Sequence, residues 1–128
     1  MPSIITHGIE ISVITHYYAE QSNPHLNQYF FVYQITITNK SDYTMQLLRR
    51  HWDITDGFGM KRTVEGDGVV GETPVIEPNE SYSYTSGCDF TTEVGKMSGY
   101  YTMQKMVNSN EVDVEIPEFI MSLPAKLN

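Results

Sequence analysis

The sequence predicts a single all-β domain, an immunoglobulin- or fibronectin-III-like antiparallel β-sandwich of about seven strands. Apolar residues recur at every second position along most of the chain, which is the period of a strand and not of a helix. Turn-forming residues separate these runs, and no stretch shows a convincing helical pattern. A chain of 128 residues fits one domain, so we expect residues 1–128 to fold as one unit.

The first two predicted strands show the alternation most clearly. Residues 9–17 alternate as a half-buried strand, and residues 20–28 contain the loop formers Ser22, Asn23 and Pro24. Residues 29–38 follow, and their first half, 29–33, is apolar on both faces. This outer apolar face needs a cover, which the C-terminal tail, another segment of the chain or a second subunit could supply. The sequence therefore leaves a homodimer open.

The third and fourth strands are predicted over residues 44–55 and 60–64, with a glycine-containing turn between them. A glycine loop follows at 66–71. Residues 73–80 contain two prolines and are expected to be extended chain and then a turn, because proline disfavours a helix.

Three further strands complete the predicted sandwich. Residues 81–86 alternate and are expected to end at 87–89, and residues 95–103 form the next strand, with glycines where a neighbouring chain can approach. Residues 111–116 form the last strand, which Pro117 either ends or marks as a sheet edge. The apolar tail 119–124 is expected to pack on the body of the domain.

The charge balance excludes several classes of partner. The formal net charge is −8, with sixteen acidic residues against eight lysines and arginines, so we expect no nucleic-acid binding and no docking on an anionic membrane. No apolar run approaches the roughly 20 residues that a membrane span needs, and the start of the chain does not resemble a signal peptide. The one cysteine, Cys88, cannot form an intramolecular disulfide. A cytoplasmic location is the expectation.

Several stretches in this order resemble the ApaG family. They are RHWDITD at 50–56, GDGVVGETP at 66–74, YTSG at 84–87 and GKMSGYYTM at 95–103. The resemblance covers nearly the whole chain and implies a fibronectin-III-like sandwich. It also implies a link to cobalt tolerance and magnesium efflux in bacteria, and a role as a protein-interaction module in related eukaryotic domains.

The glycine loop fits the pattern G-x-G-x-x-G through Gly66, Gly68 and Gly71. A dinucleotide site needs a helix directly after this motif, and the prolines that follow exclude one. Two readings stay open. The loop is either a structural turn that needs positive φ, or a nest of backbone N–H groups that binds a phosphate with nearby arginines. The arginines concerned are Arg49, Arg50 and Arg62.

Strand parity places Arg50 and Trp52 on one face and Arg49 and His51 on the other. Trp52 is either an exposed binding residue or a core residue, since a lone tryptophan in a sandwich usually packs inside. The histidines lack metal-site spacing, so we expect no metal and no cofactor. Cys88 lies in no nucleophile pattern, so we expect no enzyme.

The sequence thus predicts a non-enzymatic binding module whose partner is a protein or a small anionic ligand. The alternative is a phosphate or nucleotide binder that uses the glycine loop, and a divalent-metal-responsive protein is a third hypothesis. The candidate binding residues are Arg49, Arg50, His51, Trp52, Arg62, Gly66, Gly68 and Gly71.

Overall fold

The computed structural model of the chain describes residues 1–124 and contains two antiparallel sheets that form the predicted sandwich. The strands are β1 Ser3–Thr6, β2 Ile9–Tyr17, β3 Tyr29–Asn39, β4 Met45–Asp56, β5 Lys61–Asp67, β6 Val75–Ile76, β7 Ser81–Phe90, β8 Val94–Lys105 and β9 Glu111–Ser122. Sheet one has the order β1-β2-β3-β7, and sheet two has the order β5-β4-β8-β9 with β6 also beside β4. Two three-residue 3₁₀ turns, Ala19–Gln21 and Pro24–Leu26, are the helical elements of this part. No helix here is long and apolar enough to cross a membrane.

The core lies between the two sheets, where the inward residues of the alternating strands meet. Trp52 is 3% exposed and contacts Tyr33 of the opposite sheet, with 5.4 Å between ring centroids. Phe119 packs edge-on against the same indole at 5.8 Å. Large aromatic side chains thus pack at the centre of the sandwich, and the burial of this core stabilises the fold.

The seven predicted strands are all present, and the two additional ones, β1 and β6, are short. Two strand ends predicted at or near glycines were wrong. Strand β5 continues through Gly66, and β7 continues through Gly87 to Phe90. A Cβ on Gly87 would overlap the Phe30 ring, so this glycine marks a close approach within a strand and not the end of one.

Pro117 does not end the last strand, because β9 runs on to Ser122 at the edge of sheet two. The register shifts where Met97 faces Phe119 and Gly99 faces Ile116, so one residue of β8 opposes two of β9. This β-bulge on an edge strand tolerates the missing proline N–H. The prediction that the tail packs on the body is confirmed, because Phe119 and Met121 are buried, and both residues belong to β9.

The outer apolar face of residues 29–33 is covered by another segment of the chain. Tyr18 packs edge-on against Phe30, with 6.2 Å between ring centroids, beside the turn Ala19–Gln21. The backbone N–H of Phe30 donates to Ser22 Oγ at 2.8 Å. Of the alternatives left open by the sequence, cover of this face by the tail residues of β9 is wrong, because β9 lies in the other sheet.

The two long sides of the sandwich differ. On one side β9 lies against β1, and the Glu115 N–H reaches Thr6 Oγ1 at 3.4 Å. On the other side β7 forms the edge of sheet one and β5 the edge of sheet two. Within residues 1–124, the hydrogen bonds between these two edges come from Arg62. The sandwich is therefore open along the β5–β7 side.

Candidate functional site

The open side holds three adjoining cavities of about 220, 240 and 140 Å³. The first and second share Arg50 and Ser86, and the second and third share Arg62 and Asp89, so the three join end to end. We call this groove the edge cleft. Its principal lining residues are Tyr33, Arg50, Trp52, Arg62, Val64 and Ser86.

Arg50 lies on the inner face of β4, as strand parity predicted. Its Nη1 donates to the carbonyls of Asp67 at 2.9 Å and Gly68 at 3.0 Å. The guanidinium lies directly over Gly66, the residue that faces Arg50 in register across β4 and β5. A Cβ on Gly66 would be 2.8 Å from both terminal nitrogens. Gly66 therefore provides the space that lets Arg50 tie the glycine loop to the sheet.

The glycine loop is a tight hairpin. Val69 and Glu72 exchange backbone hydrogen bonds of 2.8 and 2.9 Å, and Val70 and Gly71 between them have φ of +47° and +77°. Positive φ at both central residues is the signature of a two-residue type I′ turn. Gly68 also has positive φ, and a Cβ there would overlap the carbonyl of Glu72. The positive φ values of Gly68 and Gly71, and the crowding at Gly68, explain why glycine is needed in a structural turn.

Val70 is an unexpected member of the site. It is β-branched, yet it has a left-handed φ, and its side chain at the mouth of the edge cleft is 63% exposed. A β-branched residue with positive φ is a genuine outlier, and such strain concentrates at functional sites. Sequence reasoning missed Val70, although a valine where a type I′ turn prefers asparagine was a usable signal.

Arg62 bridges the two edges. Its Nη2 donates to the Asp89 carbonyl at 2.7 Å and to Cys88 Sγ at 3.2 Å. Its guanidinium carbon also lies 5.9 Å from the Phe90 ring centroid. The Asp89 carboxylate is 3.7 Å away and its side chain is 80% exposed, so that ion pair is loose and screened by solvent.

Buried tyrosines form the deeper wall of the edge cleft. Burial raises the pKa of Tyr33 and of Tyr84, and the hydroxyl of Tyr84 is hydrogen-bonded to that of Tyr101. Both phenols in the cleft are therefore neutral at physiological pH. The alternation that places Tyr33 and Tyr84 on one face of their strands was visible in the sequence. The sequence did not show which strands of the other sheet these tyrosines face.

Arg49 and His51 lie on the outer face of sheet two, away from the edge cleft. Arg49 pairs with Glu111 at 2.6 Å. The His51 ring stacks on Tyr100 at 4.7 Å and bonds Glu65 at 2.7 Å.

The surroundings of His51 act on its pKa in opposite directions. Partial burial lowers the pKa of His51, but the hydrogen bonds and charges of Glu65 and Asp53 outweigh it, and the net shift is upward. His51 is thus held in place by two carboxylates and an aromatic ring.

The eight predicted binding residues therefore separate into three groups. Arg50, Trp52 and Arg62 line the edge cleft. Gly66 lies in β5, and Gly68 and Gly71 lie in the loop that follows it. Arg49 and His51 lie on the other face of sheet two, where they line a separate cavity with Gly66. The reading of Trp52 as an exposed binding residue was wrong, because it is buried in the core. Its ring forms part of the cleft floor.

Comparison with known proteins places this geometry in a family. A model of the ApaG domain matches residues 19–105. Protein ApaG of Brucella canis is 45% identical over 124 residues, covering 97% of this chain and 95% of that protein. Protein ApaG of Mesorhizobium japonicum is 46% identical over 120 residues, covering 94% and 92%. The crystal structure of a Bordetella pertussis protein described as ApaA covers 98% of each chain at 39% identity, with a TM-score of 0.88. The chain therefore belongs to the ApaG family.

Proposed function

We propose that this chain is a non-catalytic binding module and that the edge cleft holds a partner protein. One observation carries the proposal: β5 and β7 leave a groove open along one side of the sandwich, with arginines at its rim and aromatic rings at its floor. Arginine and aromatic residues dominate the binding energy of protein interfaces. The exposed apolar tip at Val70 extends this surface.

The shape of the edge cleft favours a protein chain over a compact small molecule. No single cavity of the cleft exceeds about 240 Å³, so a ligand that needs the roughly 300 to 1,000 Å³ of a typical small-molecule pocket would have to extend over more than one of them. The three cavities share lining residues in sequence, so the groove is elongated. Such a groove suits a segment of polypeptide.

The protonation states of the groups in the edge cleft support a non-catalytic role. Burial raises the pKa of the Cys88 thiol more than Arg62 lowers it, so the thiol is neutral and a weak nucleophile at physiological pH. The raised pKa of Tyr33 keeps its phenol from acting as a base. His51, a residue type that often serves as a general base, lies on the opposite face of sheet two.

A steric block at the cleft tests the proposal. Ser86 lines two of the three cavities, and Ser86→Trp would fill them. Ser3→Trp makes the same chemical change at an exposed position of β1, on the far edge of sheet one. In a cross-linking pull-down from cells, Ser86→Trp should lose partners that the unmodified chain and Ser3→Trp retain, with both variants folded by circular dichroism. Equal retention by both variants would remove the edge cleft as the binding surface.

Phosphate binding at the glycine loop is the second candidate, and the free N–H groups at the loop tip favour it. Within residues 1–124, the N–H groups of Val70 and Gly71 have no protein partner, and Arg50 lies close by. Against it, the N–H groups of Gly68, Val69 and Glu72 are bonded to carbonyls. Pyrophosphate should raise the melting temperature of the chain if this candidate holds, because a ligand that binds the folded state stabilises it.

We also propose a link to divalent-cation homeostasis, which acts through a partner protein. Among residues 1–124, no group of three histidine, cysteine or acidic side chains is arranged to hold a metal ion. An indirect link predicts that millimolar cobalt or magnesium leaves the melting temperature of chelator-treated protein unchanged. A saturable rise would instead indicate direct binding.

A further inference from the structure

The chemistry of the edge cleft also specifies its occupant, and this step rests on the proposed function. We propose that the edge cleft binds an extended segment of a partner as an added strand on β7. That segment carries two acidic side chains four residues apart, with an apolar side chain midway between them. Three features support this occupant: the free backbone groups of β7, the row of side chains on β5, and the unused donors of two arginines.

Strand β7 presents free backbone groups to the cleft. The Asp89 carbonyl accepts from Arg62, so it points away from β3. Phe30, which faces Asp89 in register, directs its own carbonyl to the Tyr18 N–H at 2.8 Å, away from β7. In an antiparallel strand the N–H and C=O of one residue point to the same side, and the side alternates along the strand. Thr85 and Gly87 therefore also direct their backbone groups into the cleft.

A strand added beside β7 would lie opposite the inner face of β5. That face presents Arg62, then Val64, then Gly66 with the Arg50 guanidinium over it. The added strand thus meets a cation, an apolar side chain and a second cation at every second position. Arg50 and Ile54, the residue that faces Arg62, are four residues apart on β4, or about 13 Å at the rise of a strand. Acidic side chains at positions i and i+4 of an extended segment have this spacing and lie on one face.

Both guanidinium groups keep donors for a ligand. Arg50 uses Nη1 and Arg62 uses Nη2 in their contacts with the protein. Among residues 1–124, the other nitrogens of the two groups have no hydrogen-bond partner. Planar guanidinium donors match carboxylate oxygens, and the exposed Asp89 carboxylate is held loosely enough to be displaced. The net charge of −8 opposes any acidic ligand, but salt screens it over about 8 Å, so affinity depends on these two contacts.

The test uses the full chain and a synthetic peptide, acetyl-Thr-Glu-Thr-Val-Thr-Glu-Thr-amide, followed by NMR titration of the labelled protein. We expect a Kd of about 0.1 mM, in the range of weak single-strand docking. Replacing either glutamate by glutamine should weaken binding about tenfold, the size of one charge-assisted contact. Moving one glutamate by one residue should weaken it as much, because that side chain then points to the opposite face. Amide exchange of Thr85 and Gly87 should slow in the complex.

Two arginine variants separate local contact from overall charge. Arg62→Gln removes one cation from the edge cleft. Arg49→Gln makes the same change on the outer face of sheet two. Their side chains are 49% and 51% exposed, so the two variants remove the same charge from equally accessible positions. Arg62→Gln should weaken the binding of the peptide about tenfold. It should also abolish the difference in affinity between glutamate and glutamine at one of the two peptide positions and not at the other. Arg49→Gln should leave the affinity within about twofold.

Three results would overturn this inference. Equal binding of the glutamate and glutamine peptides would remove the acidic specificity. Equal effects of Arg62→Gln and Arg49→Gln would reduce it to general electrostatics. The absence of binding by the glutamate peptide would reject this occupant. In each case the loss of partners on Ser86→Trp, measured separately, would still support the proposed function of the edge cleft.

Discussion

Arg50 and Gly66 face each other across β4 and β5, and the arginine guanidinium occupies the space above the glycine where a side chain would otherwise lie. Through this pair, β4 in the interior of sheet two contacts β5 at the open edge of the sandwich. The carbonyls that Arg50 holds belong to the start of the glycine loop, and the same guanidinium lines the edge cleft. A single methyl group at residue 66 therefore acts on both the loop and the cleft.

Gly66→Ala should displace the Arg50 guanidinium from the carbonyls of Asp67 and Gly68. We expect a loss of about 1 to 2 kcal/mol in the free energy of unfolding, measured by urea denaturation, since two hydrogen bonds to a charged group are weakened. Amide exchange of Gly68 should also become faster. An unchanged unfolding free energy together with unchanged exchange would show that Arg50 does not hold the loop.

Gly68 and Gly71 should differ in their tolerance of alanine. Gly68→Ala places a Cβ against the Glu72 carbonyl at φ +60°, whereas Gly71→Ala, at φ +77°, meets open space. We therefore expect Gly71→Ala to cost about 1 kcal/mol from backbone strain alone. Gly68→Ala should cost about 2 kcal/mol more, because the backbone must move as well. Parallel urea denaturation of the two variants measures the difference, and equal costs would contradict the crowding at Gly68.

The period of two predicted the sandwich because one face of most strands is buried, as Ile35 and Ile37 show. The ends of the strands were predicted less well where a glycine or proline resembled a turn signal but is explained by a contact with another strand. Gly87 looked like a strand end because the Phe30 ring that it accommodates belongs to another strand. Pro117 was predicted either to end its strand or to mark a sheet edge, and the edge alternative is confirmed. The sequence could not decide between them, because the bulge that tolerates Pro117 depends on the register with β8.

The candidate site was predicted only in part for the same reason. Parity placed Arg50 and Trp52 on one face, and the structure confirms this. Alternation cannot show which strands are sheet edges, so Ser86 of β7 and Val64 of β5 could not be placed together. Arg49 adjoins Arg50 in sequence yet lies on the opposite face, while the more distant Arg62 shares the cleft.

His51 should make the stability of the fold depend on pH. The pKa of His51 in the folded chain is raised above its ordinary value of about 6.5. Its charged contacts with Glu65 and Asp53 therefore contribute stability fully below about pH 6.5, and this contribution is lost as pH rises through the folded pKa. His51→Gln should thus cost about 0.5 kcal/mol more at pH 5.5 than at pH 8.5, since both carboxylates are exposed and screened.

Urea denaturation at the two pH values measures this difference. The double variant Asp53→Asn with Glu65→Gln keeps the histidine but removes its partners, so its pH dependence should resemble that of His51→Gln. A cost that is equal at both pH values would indicate that the stacking on Tyr100, and not charge, holds the ring.

Asn39 should be the most costly polar side chain to truncate. It is fully buried, and its Nδ2 donates to the carbonyls of Tyr43 at 2.8 Å and Ile76 at 2.9 Å. Its Oδ1 accepts from the Ser41 N–H at 2.9 Å. Asn39→Ala leaves these buried groups unpaired and should cost about 3 kcal/mol, measured by thermal and urea unfolding. Asn39→Asp retains the acceptor but not the donor and should also destabilise; a cost below about 1 kcal/mol for either variant would argue against this network.

Val70 should show a conflict between stability and binding. Val70→Asn places Asn-Gly in the type I′ turn, the preferred pair for this geometry, and relieves the left-handed φ of a β-branched residue. We expect unfolding to become more unfavourable by about 1 kcal/mol. The same change removes an exposed apolar side chain from the mouth of the edge cleft, so partner capture should fall although the fold is more stable.

Val75→Asn, at a half-exposed position of β6 away from the cleft, is the control and should leave capture unchanged. Because stability and capture then move in opposite directions, a loss of binding cannot be attributed to unfolding. Capture that survives Val70→Asn would show that the strained valine serves the loop alone.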